Sequence, residues 1–397
     1  MAFPAFSATH IDHFQANPIY GDAASRVITP EDFRRARAEI SGWQGYAPTP
    51  LFALPGLADS LEVAQLLYKH EGPRFGMGSF KALGAAYAGL RVLQTQLSEK
   101  LGRTVTLAEI SNGSLATEAR TITLCSATDG NHGRSLAWGA RRFGAGCKIY
   151  IHAEVSQNRA NAMRSLGAEV IRVNGNYDAS VARARADATA NGWFMVADTS
   201  WTGYTQPPLD VMAGYGLLAD EVCRTMPTAP THVFLQGGVG GLAAAVAAYL
   251  RQFWGDKTPR VIVVEPDLAP CLMASARAGC AATVAVTTET IMAGLSCGEP
   301  SKVAWDILSD LADDYLTIPD SIIAPAMRRL AQPQANDPLI EAGETGVAGL
   351  AAFIAAATQP TLRNALGITP DSRVLLIGTE GITDPAIYAA IMSETAP

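Results

Sequence analysis

Two stretches carry the side chains best suited to chemistry. One is Gly78-Ser79-Phe80-Lys81, and the other is Ser126-Ala127-Thr128-Asp129-Gly130-Asn131-His132-Gly133. Residues 63–69 form an apolar run that reads as a buried strand. Residues 81–87 read as the start of a helix, with Gly76 and Gly78 marking the loop between. Lys81 therefore stands at a loop-to-helix junction, near backbone N–H groups that a helix leaves unpaired. An amine placed there can form a Schiff base with an aldehyde cofactor. The bland alternative is a solvated lysine in a first helical turn, the usual place for lysine; the companion motifs decide between them. The second stretch follows a strand-like run, residues 121–125, and precedes a helix-like run, residues 134–143. Its N–H groups suit a substrate carboxylate at Thr128, Asp129 and Gly130, and Asn131 can hydrogen-bond a cofactor oxygen. The same loop also reads as an N-cap turn in which Asp129 accepts backbone N–H bonds.

A third stretch is Gly237-Gly238-Val239-Gly240-Gly241, after the strand-like residues 233–236 and before an apolar helix from Leu242. Glycines let the backbone curl its amides round a phosphate, and the helix N-terminus adds a favourable dipole. The spacing is neither that of a dinucleotide fingerprint nor that of a P-loop. In a fourth, Arg373-Val374-Leu375-Leu376-Ile377-Gly378-Thr379-Glu380-Gly381, a buried strand ends on Thr379. That hydroxyl can bond a pyridine nitrogen without protonating it, or it can satisfy its own turn.

Taken in order, Ser-Phe-Lys, Gly-Asn-His, the glycine loop and the strand-ended hydroxyl resemble the fold-type II pyridoxal-phosphate enzymes. The resemblance runs from Pro48-Thr49-Pro50-Leu51 to Thr379. Within that group the chain resembles the diaminopropionate ammonia-lyases. That likeness rests on Tyr46-Ala47-Pro48-Thr49-Pro50-Leu51, Arg74-Phe75-Gly76, Asp129-Gly130-Asn131-His132-Gly133-Arg134, Ala293-Gly294-Leu295-Ser296-Cys297-Gly298-Glu299-Pro300 and Gly378-Thr379-Glu380-Gly381. The dehydratases of the wider group usually carry a small hydroxyl residue where this chain has Asp129.

The resemblance implies pyridoxal 5'-phosphate as cofactor and α,β-elimination of 2,3-diaminopropionate to pyruvate and two ammonia. Lys81 is then the Schiff-base lysine, Phe80 packs on the ring or in the core, and Asn131 binds the ring hydroxyl. Gly237, Gly238, Val239, Gly240 and Gly241 offer amides to the phosphate, and Thr379 faces the pyridine nitrogen. Asp129 is implied as the acid/base for the D-isomer. Asp198, in Val196-Ala197-Asp198-Thr199, is a second catalytic candidate, or a cap for its own turn. His132 reads as a packed helix-start histidine rather than a base, and Glu341 and Glu344 as a solvated turn. A serine or threonine dehydratase or a racemase is the alternative enzyme; a degenerate cofactor-binding protein is the alternative without catalysis, against which an intact Lys81 argues.

The elements that must position these residues alternate. Residues 148–152, 169–173 and 194–197 read as strands, with helices over 157–166 and 178–190. After Pro207-Pro208 come a helix from Val211, a strand over 233–236, a helix from Leu242 and a strand over 260–264. Such alternation implies an α/β fold with mostly parallel sheets flanked by helices. The expected division is a large cofactor-binding lobe, 1–88 with 208–397, and a small lobe, 89–207. The tail after Asp384 reads as a helix.

Composition limits the alternatives. The 397 residues are 48% hydrophobic and 17% charged, enough for two lobes and a large core. A net charge of −7 without a basic run disfavours nucleic acid and anionic membrane surfaces as partners. The apolar runs near 242–250 and 347–357 are too short to span a bilayer, and the N-terminus shows no signal-peptide pattern. Six scattered cysteines without a C-x-x-C motif point away from metal binding and towards a reducing, cytoplasmic setting; Cys271 and Cys297 can pair, although sequence does not show it. An amino-acid substrate and a homodimer complete the expectation.

Overall fold

The computed structural model describes residues 3–128 and 130–393. Its strands are β1 (Asp12–Gln15), β2 (Leu51–Ala53), β3 (Gln65–His70), β4 (Thr123–Ala127), β5 (Gly146–Ile151), β6 (Glu169–Arg172), β7 (Phe194–Met195), β8 (His232–Gln236), β9 (Arg260–Pro266), β10 (Asp314–Ile318) and β11 (Arg373–Gly378). The chain divides into two compact units. The first draws on Met1–Pro30, Pro48–Ser79 and Leu218–Pro397, the second on Glu31–Ala47 and Phe80–Leu217.

In the first unit the strands form one sheet in the order β1-β10-β9-β8-β11-β3-β2. From β10 to β3 the neighbours are parallel; β1 and β2 close the two edges antiparallel. The central strands are buried on both faces, so they read as continuous apolar runs rather than alternating ones. Beneath them lies the buried helix Ala348–Thr358, with Phe353 set edge-on against Phe234 at 5.5 Å between ring centres. Parallel strands end on the same side, so adjacent β8, β11 and β3 discharge three loops at one edge. These are the glycine loop 237–241, Thr379, and the segment that leads to Lys81. The carboxyl edge of such a sheet is where open α/β folds hold ligands.

The second unit has a four-stranded parallel sheet, β6-β5-β4-β7. Helix Lys81–Leu101 packs on helix Asn131–Phe143 so closely that a Cβ on Gly139 would stand 2.7 Å from the Ala86 Cα. Strand β4 starts two residues later than the sequence suggests. The N–H groups of Thr121 and Ile122 are taken by Glu118 and Ala119, closing the preceding helical turn, and pairing with β5 begins only at Thr123. β7 is shorter than expected, because the Ala197 N–H turns away from the ladder and donates to the Tyr204 hydroxyl. Asp198 therefore sits in a loop beyond the strand, not at its end. The tail forms the helix Pro385–Ser393. Among the described residues no single helix is long and apolar enough to cross a membrane.

The loop that leads to Lys81 is strained, and the first unit anchors it through charge. Phe75, Gly76 and Gly78 all take positive φ, at +52°, +68° and +80°; for Phe75 this is a costly conformation. Arg74, 1% exposed, spans two carboxylates: it lies 2.8 Å from both oxygens of Glu71 and 2.8 Å from both oxygens of Glu221. Lys69 donates to Glu221 and to the Thr49 carbonyl, and the Thr49 hydroxyl donates to Glu71. Two cations meet two anions, so the cluster is neutral. Burial alone would raise the Glu221 carboxyl, but Arg74 and Lys69 outweigh it and hold it below the usual range. The motifs around Thr49 and Arg74 are thus parts of one anchor. Arg74→Met should take the guanidinium from two buried carboxylates and leave the cluster with one cation, Lys69, for two anions. Breaking a buried pair in this way costs about 3–5 kcal/mol, to be read from urea unfolding; a loss below about 1 kcal/mol would contradict an anchoring role.

Candidate active site

In the second unit Lys81 opens its helix directly after Phe80. Its Nζ lies 2.5 Å from Asp198 Oδ2, and both side chains are about four-fifths buried, at 20% and 22% exposure. The lysine also stands over two rings, 5.3 Å from the centre of Phe80 and 5.8 Å from that of Tyr215. Phe80 packs on Tyr215 at 4.6 Å. Gly84 makes room for that tyrosine, since a Cβ there would come within 2.4 Å of its ring. Burial tends to raise the Asp198 carboxyl, yet the Lys81 ammonium and His132 prevail and hold it well below the usual carboxylate range. The pair is therefore ionic at neutral pH.

The Asp198 loop is held from outside the pair. The Tyr204 hydroxyl donates to the Met195 carbonyl and accepts from the Ala197 N–H, both at 3.0 Å. Trp201 stacks on Tyr204 at 4.0 Å, and the Arg185 guanidinium covers Trp201 at 3.7 Å. Sequence reasoning missed this brace, and missed Tyr215. No local pattern announces them, because each matters through contacts that form only when the chain folds back on itself.

His132 lies one residue into helix Asn131–Phe143 and is buried. Its Nε2 is 2.8 Å from the Val196 carbonyl, which makes Nε2 the protonated nitrogen. Its Nδ1 lies 3.6 Å from Asp198 Oδ2. It is a packed histidine, as the sequence suggested, but one aimed at the lysine's partner. Thr128 is buried at the end of β4, and its hydroxyl accepts from the Gly130 N–H at 3.3 Å. Asn131 follows at the start of the helix, half-buried. Asp129 lies outside the described residues.

In the first unit the glycine loop joins β8 to helix Gly241–Trp254. Gly238 and Gly240 take φ of +61° and +94°, conformations that a side chain would oppose. The Gly237 N–H donates to Val264 and the Gly240 N–H to Gly237. Among the described residues no bond occupies the N–H groups of Gly238, Val239 and Gly241. Glu265 lies under the loop, where a Cβ on Gly237 would come within 2.7 Å of its Cγ. Burial pushes this carboxyl up to about 8 against the pull of the Leu272 and Met273 amides, so it sets little negative charge beneath the loop. Cys271 donates to the Gly238 carbonyl; it and Cys297 form no disulfide among the described residues.

Thr379 follows β11. Its Oγ1 and the Ser79 Oγ are buried with no hydrogen-bond partner among the described residues. The strand-end segment is stitched to the lysine loop: Ser79 bridges Glu380, and the Gly381 N–H donates to Gly78 at 2.9 Å. Glu341 is exposed, and Glu344 half-buried beside the chain that backs this segment.

A lysine amine on a carboxylate, an open amide cradle and a buried hydroxyl in want of a partner define a class of protein. The chain belongs to the pyridoxal-phosphate-dependent enzymes, whose family model matches residues 42–380. It is similar to diaminopropionate ammonia-lyase of Escherichia coli K12, with 38% identity over 95% of each chain. It superposes on the crystal structure of the E. coli enzyme in complex with an aminoacrylate-PLP azomethine reaction intermediate, at a TM-score of 0.87 and 37% identity over 98% of each chain. The same enzyme in complex with D-serine matches at 0.84 and 36% identity, again over 98% of each.

The residues present fit this cofactor. The cradle amides suit a phosphate, the orphaned Thr379 hydroxyl suits a ring nitrogen, and Lys81 is an amine with a proton acceptor in contact. A buried hydroxyl without a partner costs about 1–3 kcal/mol. Thr379→Val should therefore leave the cofactor-free protein as stable as before, or more so, while weakening cofactor binding. Melting of the cofactor-free form and a cofactor titration check both halves; a less stable cofactor-free protein would show that the hydroxyl already has a structural partner.

Proposed function

We propose that the protein is a pyridoxal-phosphate-dependent ammonia-lyase that converts 2,3-diaminopropionate to pyruvate and two ammonia. The observation that carries the reading is the Lys81 amine held on Asp198, in a chain similar along 95% of its length to an enzyme of that name. When bound, the cofactor supplies an aldehyde for amino groups and a conjugated ring that draws charge from the substrate Cα. Lys81 carries the cofactor, and once released it serves as base towards one face of Cα. Asp198 holds the lysine's proton nearby and orients Nζ. Asn131 binds the ring hydroxyl, and Phe80 and Tyr215 wall the amine. The Gly237–Gly241 amides take the phosphate. The Thr379 hydroxyl partners the ring nitrogen without holding it protonated, which favours elimination over transamination. Thr128 and Gly130, at a helix N-terminus, suit the substrate carboxylate.

Asp129 replaces the small hydroxyl residue that dehydratases usually carry, and this is what favours a diamine substrate. An amine leaves well only when protonated. A carboxylate beside Cα and Cβ binds the ammonium and takes the Cα proton of the D-isomer. The reading extends to a homodimer, supported by the resemblance, and to a cytoplasmic setting, supported by six scattered cysteines without a C-x-x-C motif.

The test is pyruvate and ammonia release from both hands of 2,3-diaminopropionate, by the native protein and by Asp129→Asn. Two ammonia per pyruvate are expected from the native protein. The variant should lose about 10²–10⁴-fold on the D-isomer and less on the L-isomer, whose Cα proton goes to Lys81. No pyruvate from either isomer would overturn the substrate. Equal small losses on both hands would remove Asp129 from the chemistry.

A further inference from the structure

Lys81, Asp198 and His132 form a line of three titratable groups, and the proposed function uses only two. The His132 ring is fixed by its Nε2–H bond to Val196 at 2.8 Å. Its Nδ1 is buried and, among the described residues, has no hydrogen-bond partner, although Asp198 Oδ2 lies 3.6 Å away. Two acceptors thus face each other, an arrangement that a proton on Nδ1 would turn into a charge-assisted hydrogen bond. Lys81 and Asp198 are the charged groups that face the ring.

We infer that His132 is the proton reservoir of the Lys81–Asp198 pair, taking up at Nδ1 the proton that Lys81 must release before its amine can react. The inference rests on the reading of Lys81 as the cofactor-bearing lysine. A lysine ammonium has no lone pair, so attack on an aldehyde requires loss of one proton. The Nζ–H bond breaks towards Asp198 Oδ2, and the proton passes on to form an N–H bond at His132 Nδ1. Nothing is oxidised or reduced. Before the transfer Asp198 is paired with the lysine, and after it with the imidazolium, so the largely buried carboxylate always keeps a cation. Burial holds the histidine below its ordinary value while Lys81 is charged, with the nearby ammonium adding to the effect and Asp198 opposing it. Loss of the lysine charge removes one of the effects that hold the ring low and leaves Asp198, 3.6 Å away, to pair with it. His132 is a positioning and proton-holding residue, since it reaches the reacting amine only through Asp198.

The test uses ¹⁵N-histidine spectra of the cofactor-free full chain, with His132→Gln identifying the signal. In the native protein His132 should be the neutral Nε2–H form at pH 7. In Lys81→Ala, which removes the competing cation, it should be imidazolium at pH 7, with its pKa raised by about one unit or more, the usual effect of an opposite charge at this range. Adding Asp198→Asn to Lys81→Ala should return it to the neutral form. A neutral ring in both native and Lys81→Ala proteins would overturn the inference, as would an imidazolium in both. The reading of Lys81 fails separately, if Lys81→Ala keeps the protein-linked cofactor absorbance band.

Discussion

A lysine amine beside a carboxylate is a poised but locked nucleophile, and the contact between Lys81 and Asp198 is the constraint on which the site depends. Asp198 fixes where Nζ points and keeps it charged. It also supplies the acceptor through which the charge can leave. Neither side chain would serve alone. Lys81 without Asp198 would be a largely buried cation with no carboxylate beside it. Asp198 without the lysine would be a largely buried carboxylate whose desolvation raises its pKa. Each group's environment is set by the other, and His132 stands behind both.

Within each unit the loops next to these residues are braced. The Lys81 helix is preceded by a loop with three positive φ angles, and such a loop holds its shape only if its surroundings over-determine it. The buried cluster of Lys69, Glu71, Arg74 and Glu221 does so on one side, and the stitching of Gly78 and Ser79 to Glu380 and Gly381 on the other. The second of these ties the lysine loop to the segment that carries Thr379. The Asp198 loop has its own brace in Tyr204, Trp201 and Arg185. Aromatic stacking and neutral ion clusters recur at the joints because loops have no ladder of their own to hold them.

What was legible in the sequence was local. A strand, a glycine-bounded turn and a helix sit within a few residues of each other, so the Lys81, Asn131, glycine-loop and Thr379 junctions could all be read in order. Strand limits were less legible: β4 slid two residues because a helical turn claimed Thr121 and Ile122, a competition invisible to hydrophobic pattern. Arg74 was readable as a motif residue but not as a clamp, since its partner Glu221 is 147 positions away. Tyr204 and Tyr215 were not readable at all, for each matters through contacts that form only when the chain folds back on itself. His132 was read from its place at a helix start as a packed histidine, and it is buried there, but its second nitrogen acquires meaning only once the Asp198 loop folds back beside it.

The central claim is that Lys81, and no other amine, carries the cofactor. The chain offers a direct rival in Lys69, more deeply buried but committed to Glu221 and the Thr49 carbonyl. Borohydride reduction of the native, cofactor-loaded protein, followed by peptide mass mapping, would fix the cofactor where it is attached. The account predicts a single reduced adduct on the peptide containing Lys81. An adduct on Lys69 or on a surface lysine, with Lys81 unmodified, would contradict it.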